Sequence, residues 1–342
     1  EALGLDPVEL APRLASAARR PLRMEPRRYG DVDWCLDCYN ASPESTRMAI
    51  SFLREVPHAG RRLLVLGELG ELGEHAAAIH ADLGRRAAAL PIVLFVGAGP
   101  GDPELITVKG RAALERADLV VYAGSLVPED LLSWTRPGTP AVNSAPLPLE
   151  DIVFAMAQAH RSGKRVVRLH TGDPSLYGAV FEQIAELDKL GIPSRIIPGV
   201  TAAFAAAAAL GIEYTLPEIS QTLILTRVAG RTPVPASENL ASLAAHQASM
   251  AIYLSMGRIE EVAATLAEAY GAHAACAVVY QASQPGEKVI RTRLSDLVEK
   301  VRAEGITRQA LVIVGRVLEL SPQNLKVKSK LYDKDFEHGF RK

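Results

Sequence analysis

The stretch that most constrains the fold of this 342-residue chain is Val93-Leu-Phe-Val-Gly-Ala-Gly-Pro-Gly-Asp102-Pro-Glu-Leu-Ile106. Its uninterrupted apolar run, Ile92 to Val96, predicts a strand of a parallel sheet that is buried on both faces. Gly97, Gly99 and Gly101 end that run, and a helix is expected to follow, with Asp102 as its N-cap and Pro103 in its first turn. Such a turn presents backbone N–H groups to whatever binds at the helix start. A glycine-rich turn alone is a weak signal. The dinucleotide-binding form places glycine three residues after the second glycine, where helix and strand pack closely. Here that position holds Asp102, and Pro100 stiffens the loop. A nicotinamide cofactor is therefore disfavoured.

Further segments make the pattern specific. Gly97 to Asp102 is joined by His170-Thr-Gly-Asp-Pro-Ser-Leu-Tyr177, Pro198-Gly-Val-Thr-Ala202 and Ile252-Tyr-Leu-Ser-Met256. In this order they resemble the tetrapyrrole methylases, S-adenosylmethionine-dependent enzymes of two small α/β domains with the cofactor cleft between them. Tyr122-Ala-Gly-Ser-Leu-Val127 and Thr226-Arg-Val-Ala-Gly-Arg-Thr-Pro-Val234 are similar to the branch that methylates precorrin-4 or cobalt-precorrin-4 at C11 in cobalamin biosynthesis. The resemblance runs over residues 91–342. It implies a class III methyltransferase fold, a small-molecule tetrapyrrole substrate and a homodimer. Another tetrapyrrole C-methylase, such as one acting on uroporphyrinogen III, is the nearest alternative.

Bulk properties agree with a globular enzyme. The hydrophobic fraction of 48% and charged fraction of 23% are ordinary, and the length fits two or three domains. A formal charge of −1 gives no reason to expect nucleic acid or an anionic membrane as partner, and aromatics at 5% are too few for base-stacking platforms. No segment approaches the ~20 apolar residues of a membrane span, and the first residues lack the layout of a secretory signal. Cys35, Cys38 and Cys276 form no disulfide framework, so a cytoplasmic protein is expected. Trp34-Cys-Leu-Asp-Cys38 matches a redox C-x-x-C pattern, but the second cysteine precedes a turn rather than lying inside a helix. We read it as a coincidence at the end of a short strand.

Residues 1–90 read differently. Leu10 to Arg20 predicts a helix, Asp31 to Leu36 a strand, Pro43 onward a helix capped by Ser42, Arg62 to Gly67 a strand and Glu74 to Leu83 a helix. The last four form a β-α-β-α run, a partial Rossmann-like segment. Asp37-Cys-Tyr-Asn-Ala-Ser-Pro-Glu-Ser45, Val65-Leu-Gly-Glu-Leu-Gly-Glu-Leu-Gly-Glu74 and His80 resemble the C-terminal domain of the ligase that adds D-Ala-D-Ala to a UDP-muramyl tripeptide. Ser42 and Glu68 depart from that family's usual asparagine and aspartate. No G-x-x-x-x-G-K-[ST] loop exists in the chain to cradle ATP phosphates, which argues against amide ligation. The front is expected to be a catalytically idle ligase-like appendage.

From Ile92 the pattern alternates strand and helix, with Gly211 to Ser220 as the boundary between the two methylase domains, 91–212 and 213–320. Short spacing between strands at 275–281 and 288–292 predicts an antiparallel hairpin. The tail, 321–342, is basic with three aromatics, but Asp333, Asp335 and Glu337 weaken a nucleic-acid reading.

Methyl transfer from a sulfonium needs neither a metal nor a covalent intermediate, so catalysis is mostly in-line positioning and exclusion of water. Positioning can contribute about 7–11 kcal/mol in favourable cases. The resemblance implies that Pro100, Gly172, Asp173, Leu176, Thr201 and Ala202 hold the donor from one domain, and Leu254, Met256 and Ala282 from the other. Asp102 is the candidate catalytic acid or base near the methyl acceptor, its alternative being a plain cap. Tyr122, Ser125, Arg227 and Arg231 are the candidate substrate contacts, since guanidinium pairs bidentately with the substrate's carboxylates. Gly172-Asp173-Pro174 is equally an ordinary capped turn, and Met256 equally a core residue. His170 reads as a satisfied core histidine rather than a base. A third reading, a scaffold that has lost activity, is disfavoured because the donor motifs are intact.

Overall fold

Two five-stranded sheets dominate the computed structural model, which describes residues 25–29, 32–36, 41–55, 64–67, 69–70, 72–88, 92–230, 232–321, 323–324 and 329. The first sheet contains β3 (Val93–Gly97), β4 (Leu119–Tyr122), β5 (Ala141–Asn143), β6 (Val166–His170) and β7 (Ser194–Ile197). Its order is β5-β4-β6-β3-β7 and every pairing is parallel. Three helices join these strands: α3 (Val108–Arg116), α4 (Leu149–Arg161) and α5 (Val180–Lys189).

Strand periodicity decides which helix covers which face. Val93 and Phe95 point to one side, where Ile152, Met156 and Ala159 of α4 and Leu187 of α5 bury against them. Val96 points to the other, against Leu114 of α3 and Leu131. The helix after the glycine loop starts later than expected. Asp102 does accept the Glu104 N–H at 2.8 Å, but it caps only a single 3-10 turn, Pro103–Leu105. The α-helix proper is capped by Thr107, whose hydroxyl accepts the Gly110 N–H at 3.1 Å.

At the opposite end from the glycine loops, Asp118 ties the sheet together. Its carboxylate accepts from Arg165 Nε at 2.9 Å, from the Arg165 backbone N–H at 2.9 Å and from Arg136 Nη2 at 2.6 Å. The Arg165 side chain foremost, against a smaller cost of burial, holds the Asp118 carboxyl well below the usual carboxylate range. A depressed folded-state pKa means the group stabilises the fold fully above about pH 4 and loses that contribution on acidification below it. Asp118→Asn should therefore lower Tm at pH 7, and the gap to the parent should close as pH falls from about 4. Thermal melts across that range check this.

The second sheet contains β8 (Leu223–Arg227), β9 (Ser249–Tyr253), β10 (Ala275–Tyr280), β11 (Lys288–Arg293) and β12 (Ala310–Val314), in the order β11-β10-β12-β9-β8. The β10–β11 hairpin is antiparallel, as the short connection predicts. Helices α7 (Leu240–Ala244), α8 (Ile259–Tyr270) and α9 (Leu297–Ala303) accompany it. One face packs under α8, with Met250, Ile252, Val278 and Val312 against Val262 and Leu266. Cys276 lies in the same core, and burial pushes its thiol up to about 12.

The other face receives α6 (Ala202–Leu210), whose alanines bury against Ala251, Ala277, Val279 and Ile313. Small side chains on helix and sheet allow that close approach. This helix precedes the expected division at residue 212, yet it packs on the second sheet and so couples the two units. Gly211, at φ 62°, ends it in the left-handed conformation that glycine adopts without strain.

The front departs from the β-α-β-α expectation. Val32–Leu36 (β2) is a strand, but it pairs antiparallel with Glu25–Tyr29 (β1). The expected helices are present as α1 (Pro43–Glu55) and α2 (Ala76–Ala88), and Ser42 Oγ caps the first by accepting the Ser45 N–H at 3.1 Å. Residues 64–67 are in no strand. The next strand along the chain, β3, pairs with β6 and β7 on its two edges. Leu69 instead packs with Ile50 and Leu83, and its N–H donates to His80 Nε2 at 3.1 Å. The helix expected at residues 10–20, Cys38 of the C-x-x-C pattern, Glu68 and most of the tail lie outside the described residues. No described helix is long and apolar enough to cross a membrane.

Candidate functional site

The loops that leave the C-terminal ends of β3, β6 and β7 converge, as expected of ligand sites in open parallel sheets. Gly97, Gly172 and Gly199, one from each loop, touch through their backbones. A Cβ on Gly97 would lie 2.5 Å from Gly199 Cα, and a Cβ on Gly199 would lie 2.2 Å from Gly172 O. Two hydrogen bonds between Gly99 and Gly172, at 2.8 and 3.2 Å, zip the first loop to the second. Asp173 fastens the third: one carboxylate oxygen accepts the Ser175 N–H at 2.8 Å and the other the Gly199 N–H at 2.9 Å.

This arrangement sets Gly172 against the start of α6. Built on Gly172, a Cβ would point at Thr201 Cα and Ala202 N, 3.7 and 3.9 Å away. The Ala202 N–H, in the first turn of α6, has no protein acceptor among the described residues. A helix start with an open N–H, beside a glycine that leaves space, suits a carboxylate. The cradle therefore fits the methionine end of S-adenosylmethionine.

Loops of the second sheet close over the first. Ser283 Oγ accepts the Asp102 N–H at 3.1 Å, Gln284 Nε2 donates to Pro100 O at 3.1 Å, and Gln309 Nε2 donates to Ser125 O at 3.4 Å. Pro100 and Asp102 thus sit against the turn that begins at Ala282, and Ser125 is drawn to the same side. Backbone strain is concentrated here: Tyr177, Leu254, Gln281, Ser283 and Gln309 all have positive φ. Such residues persist where surrounding contacts over-determine them, and they gather at binding sites.

Other expected residues are placed differently. Tyr122 is 6% exposed within the first core, and its hydroxyl donates to Glu129 at 3.0 Å, so its side chain packs inward. Met256 is 7% exposed and belongs to the second core, whereas Leu254 is 67% exposed. Leu176 is half-buried in the turn that Asp173 caps. Arg227 bends back on its own loop, donating to Thr232 O at 3.2 Å and Pro233 O at 3.0 Å. Arg231 lies outside the described residues.

His170 is buried but not satisfied: Nε2 has no partner among the described residues, while the ring stacks on Phe95 at 5.9 Å. Burial, then the neighbouring Arg168 guanidinium, push its imidazole down to about 3, so it is neutral at pH 7. The motif Ile252 to Met256 gives Tyr253 no part of its own, and Ser283 and Gln284 lie in no motif, because the contacts of all three join segments distant in the chain. Among the described residues, no group of three or more His, Cys, Asp or Glu side chains is arranged to hold a metal ion.

Comparisons with known proteins agree with this geometry. Residues 93–298 match the family model of the Tetrapyrrole (Corrin/Porphyrin) Methylases, and residues 22–127 match that of the Mur ligase, glutamate ligase domain. A cobalt-precorrin-4 C(11)-methyltransferase of Methanocaldococcus jannaschii is 54% identical over 251 residues, covering 73% of this chain and 96% of the relative. The X-ray structure of a cobalamin biosynthetic enzyme, cobalt precorrin-4 methyltransferase, superposes with a TM-score of 0.65 at 44% identity, over 68% of this chain and 97% of that one. A uroporphyrin-III C-methyl transferase from Thermus thermophilus, complexed with S-adenyl homocysteine, gives a TM-score of 0.55 at 28% identity, over 66% of this chain and 93% of that one. With the family model spanning well over half its length and the glycine loops of β3, β6 and β7 gathered at one cleft, the chain belongs to the tetrapyrrole methylases.

Proposed function

We propose that this protein is an S-adenosylmethionine-dependent C-methyltransferase of cobalamin biosynthesis that methylates precorrin-4 or cobalt-precorrin-4 at C11. The observation that carries the reading is the placing of Gly172 against Thr201 and Ala202, 3.7 and 3.9 Å from a Cβ at that glycine, at the meeting of three strand ends. The 54% identity to a relative of that activity supports the choice of substrate. We read the enzyme as a homodimer, cytoplasmic, with no metal required by the protein. Residues 91–212 and 213–320 are its two domains, with the ligase-like front an idle appendage.

When bound, S-adenosylmethionine supplies the methyl group, and its sulfur departs as a neutral thioether. The chain's own residues orient and shield. The Ala202 N–H and Thr201 would take the methionine end, Gly172 leaves room for it, and Asp173 holds the loops around it. Pro100 and Leu176 would wall the cleft from the first domain, Leu254 and Ala282 from the second, with Met256 packed beneath. Asp102 is held at the cleft by Ser283 and would take the proton released when the acceptor carbon is alkylated. Arg227 shapes the 228–233 loop through its bonds to backbone carbonyls, and Arg231 would meet substrate carboxylates from that loop. Tyr122 supports the loop bearing Ser125: its carbonyl accepts the Gly124 N–H at 3.0 Å.

Calorimetric titration of the purified chain with S-adenosylhomocysteine, and with ATP in parallel, tests this. Binding of the first alone near 1 μM, about −8 kcal/mol, is the expected result. Binding of ATP alone would overturn it and move the function to the front. Incubation with precorrin-4 and with its cobalt form, followed by mass spectrometry, then identifies the acceptor by a one-methyl mass gain.

A further inference from the structure

Tyr253 is the last residue of β9, immediately before the exposed, left-handed Leu254. Its hydroxyl accepts the Ala203 N–H at 3.0 Å and shares a hydrogen with Thr201 Oγ1 at 2.6 Å. Its ring packs at a tilt on Tyr177, with centroids 5.3 Å apart. One side chain therefore joins three segments: the end of β9, the start of α6 and the loop after β6. Burial raises the phenol pKa, with the Thr201 bond opposing, so the hydroxyl stays protonated through neutral pH. It can then satisfy both contacts at once, accepting from the amide while exchanging a hydrogen bond with threonine.

The first N–H groups of a helix have no partners within it. At α6, Tyr253 occupies the amide of Ala203 and leaves that of Ala202 open. We propose that Tyr253 is a positioning residue for the methyl donor. By locking the start of α6 to the end of β9, it fixes the separation between the open Ala202 amide and the turn that carries Leu254. The start of α6 and the turn after β9 both border the donor cradle, and this hydroxyl bonds one to the other. The inference rests on the donor reading above and adds a group that would act on the donor without touching it.

Tyr214 supplies a control on the same helix. Its hydroxyl donates to Ala203 O at 2.8 Å from a buried position, but on the carbonyl side, away from the open amide. Titration of the full chain with S-adenosylhomocysteine should show Tyr253→Phe weakening binding about tenfold, the upper range for one neutral hydrogen bond. Tyr214→Phe should lower Tm while leaving that affinity within about twofold of the parent. In the ligand-free chain, the Ala203 amide should exchange hydrogen faster in Tyr253→Phe than in the parent.

Tyr253→Phe with unchanged affinity would overturn the inference while leaving the donor reading intact. Equal loss of affinity in both variants would also overturn it, since general loosening of α6 would then be the cause. A parent chain that fails to bind S-adenosylhomocysteine would sink the donor reading, and this inference with it.

Discussion

Asp102→Asn is expected to slow methyl transfer about a hundredfold or more while barely moving Tm, the loss typical of a removed general base. Asparagine keeps an acceptor oxygen for the Glu104 N–H, so the 3-10 turn stays capped and the stability change should remain within about 0.5 kcal/mol. The Asp102 backbone bond to Ser283 does not involve the carboxylate and should also survive. Affinity for S-adenosylhomocysteine should be unchanged, because the proposed donor cradle is built from other groups. The measurement is the single-turnover rate with precorrin-4 or its cobalt form at saturating donor, alongside a melt. A rate equal to the parent's would reduce Asp102 to a cap.

Gly199→Ala is expected to cost about 3 kcal/mol or more and to abolish tight donor binding. Its Cβ would meet Gly172 O at 2.2 Å, Gly97 Cα at 2.7 Å and Gly97 C at 2.9 Å. All three are backbone atoms, so no side-chain rotation relieves the clash, and the loops after β3, β6 and β7 must separate. Separation also breaks the Asp173 bond to the Gly199 N–H, which lies 2.9 Å away in the parent. At about 2–4 °C per kcal/mol for a chain of this size, Tm should fall by roughly 10 °C. A melt and a donor titration on the same sample check both. A stable variant that still binds the donor would mean the three-glycine contact does not shape the cradle.

Much of the architecture is legible in the residues alone, because periodicity and turn chemistry act over a few residues. The apolar run at 92–96 and the hairpin between the strands at 275–281 and 288–292 both appear where local pattern places them. The order of motifs around the glycine loop likewise identifies the family.

Other features depended on which strands become neighbours. The β-α-β-α expectation for the front requires parallel neighbours, whereas β2 pairs antiparallel with β1 and β3 pairs with β6 and β7. Asp102 is a good cap by type, but Thr107 begins the helix, since the glycine loop must first cross to meet the Gly172 loop. Arg227 bends onto its own loop carbonyls, and Tyr122 turns into the core to meet Glu129, neither of which its residue type foretells.

By itself, the sequence determined most elements of residues 92–320, their class and the family, through short-range signals of spacing and residue type. Only the tertiary structure decided that Gly97, Gly172 and Gly199 share one contact, that Asp173 fastens a distant loop and that Tyr253 reaches the start of α6. The physical reason is that sheet order and interdomain packing bring remote segments within hydrogen-bonding distance, and no local pattern along the chain encodes those separations.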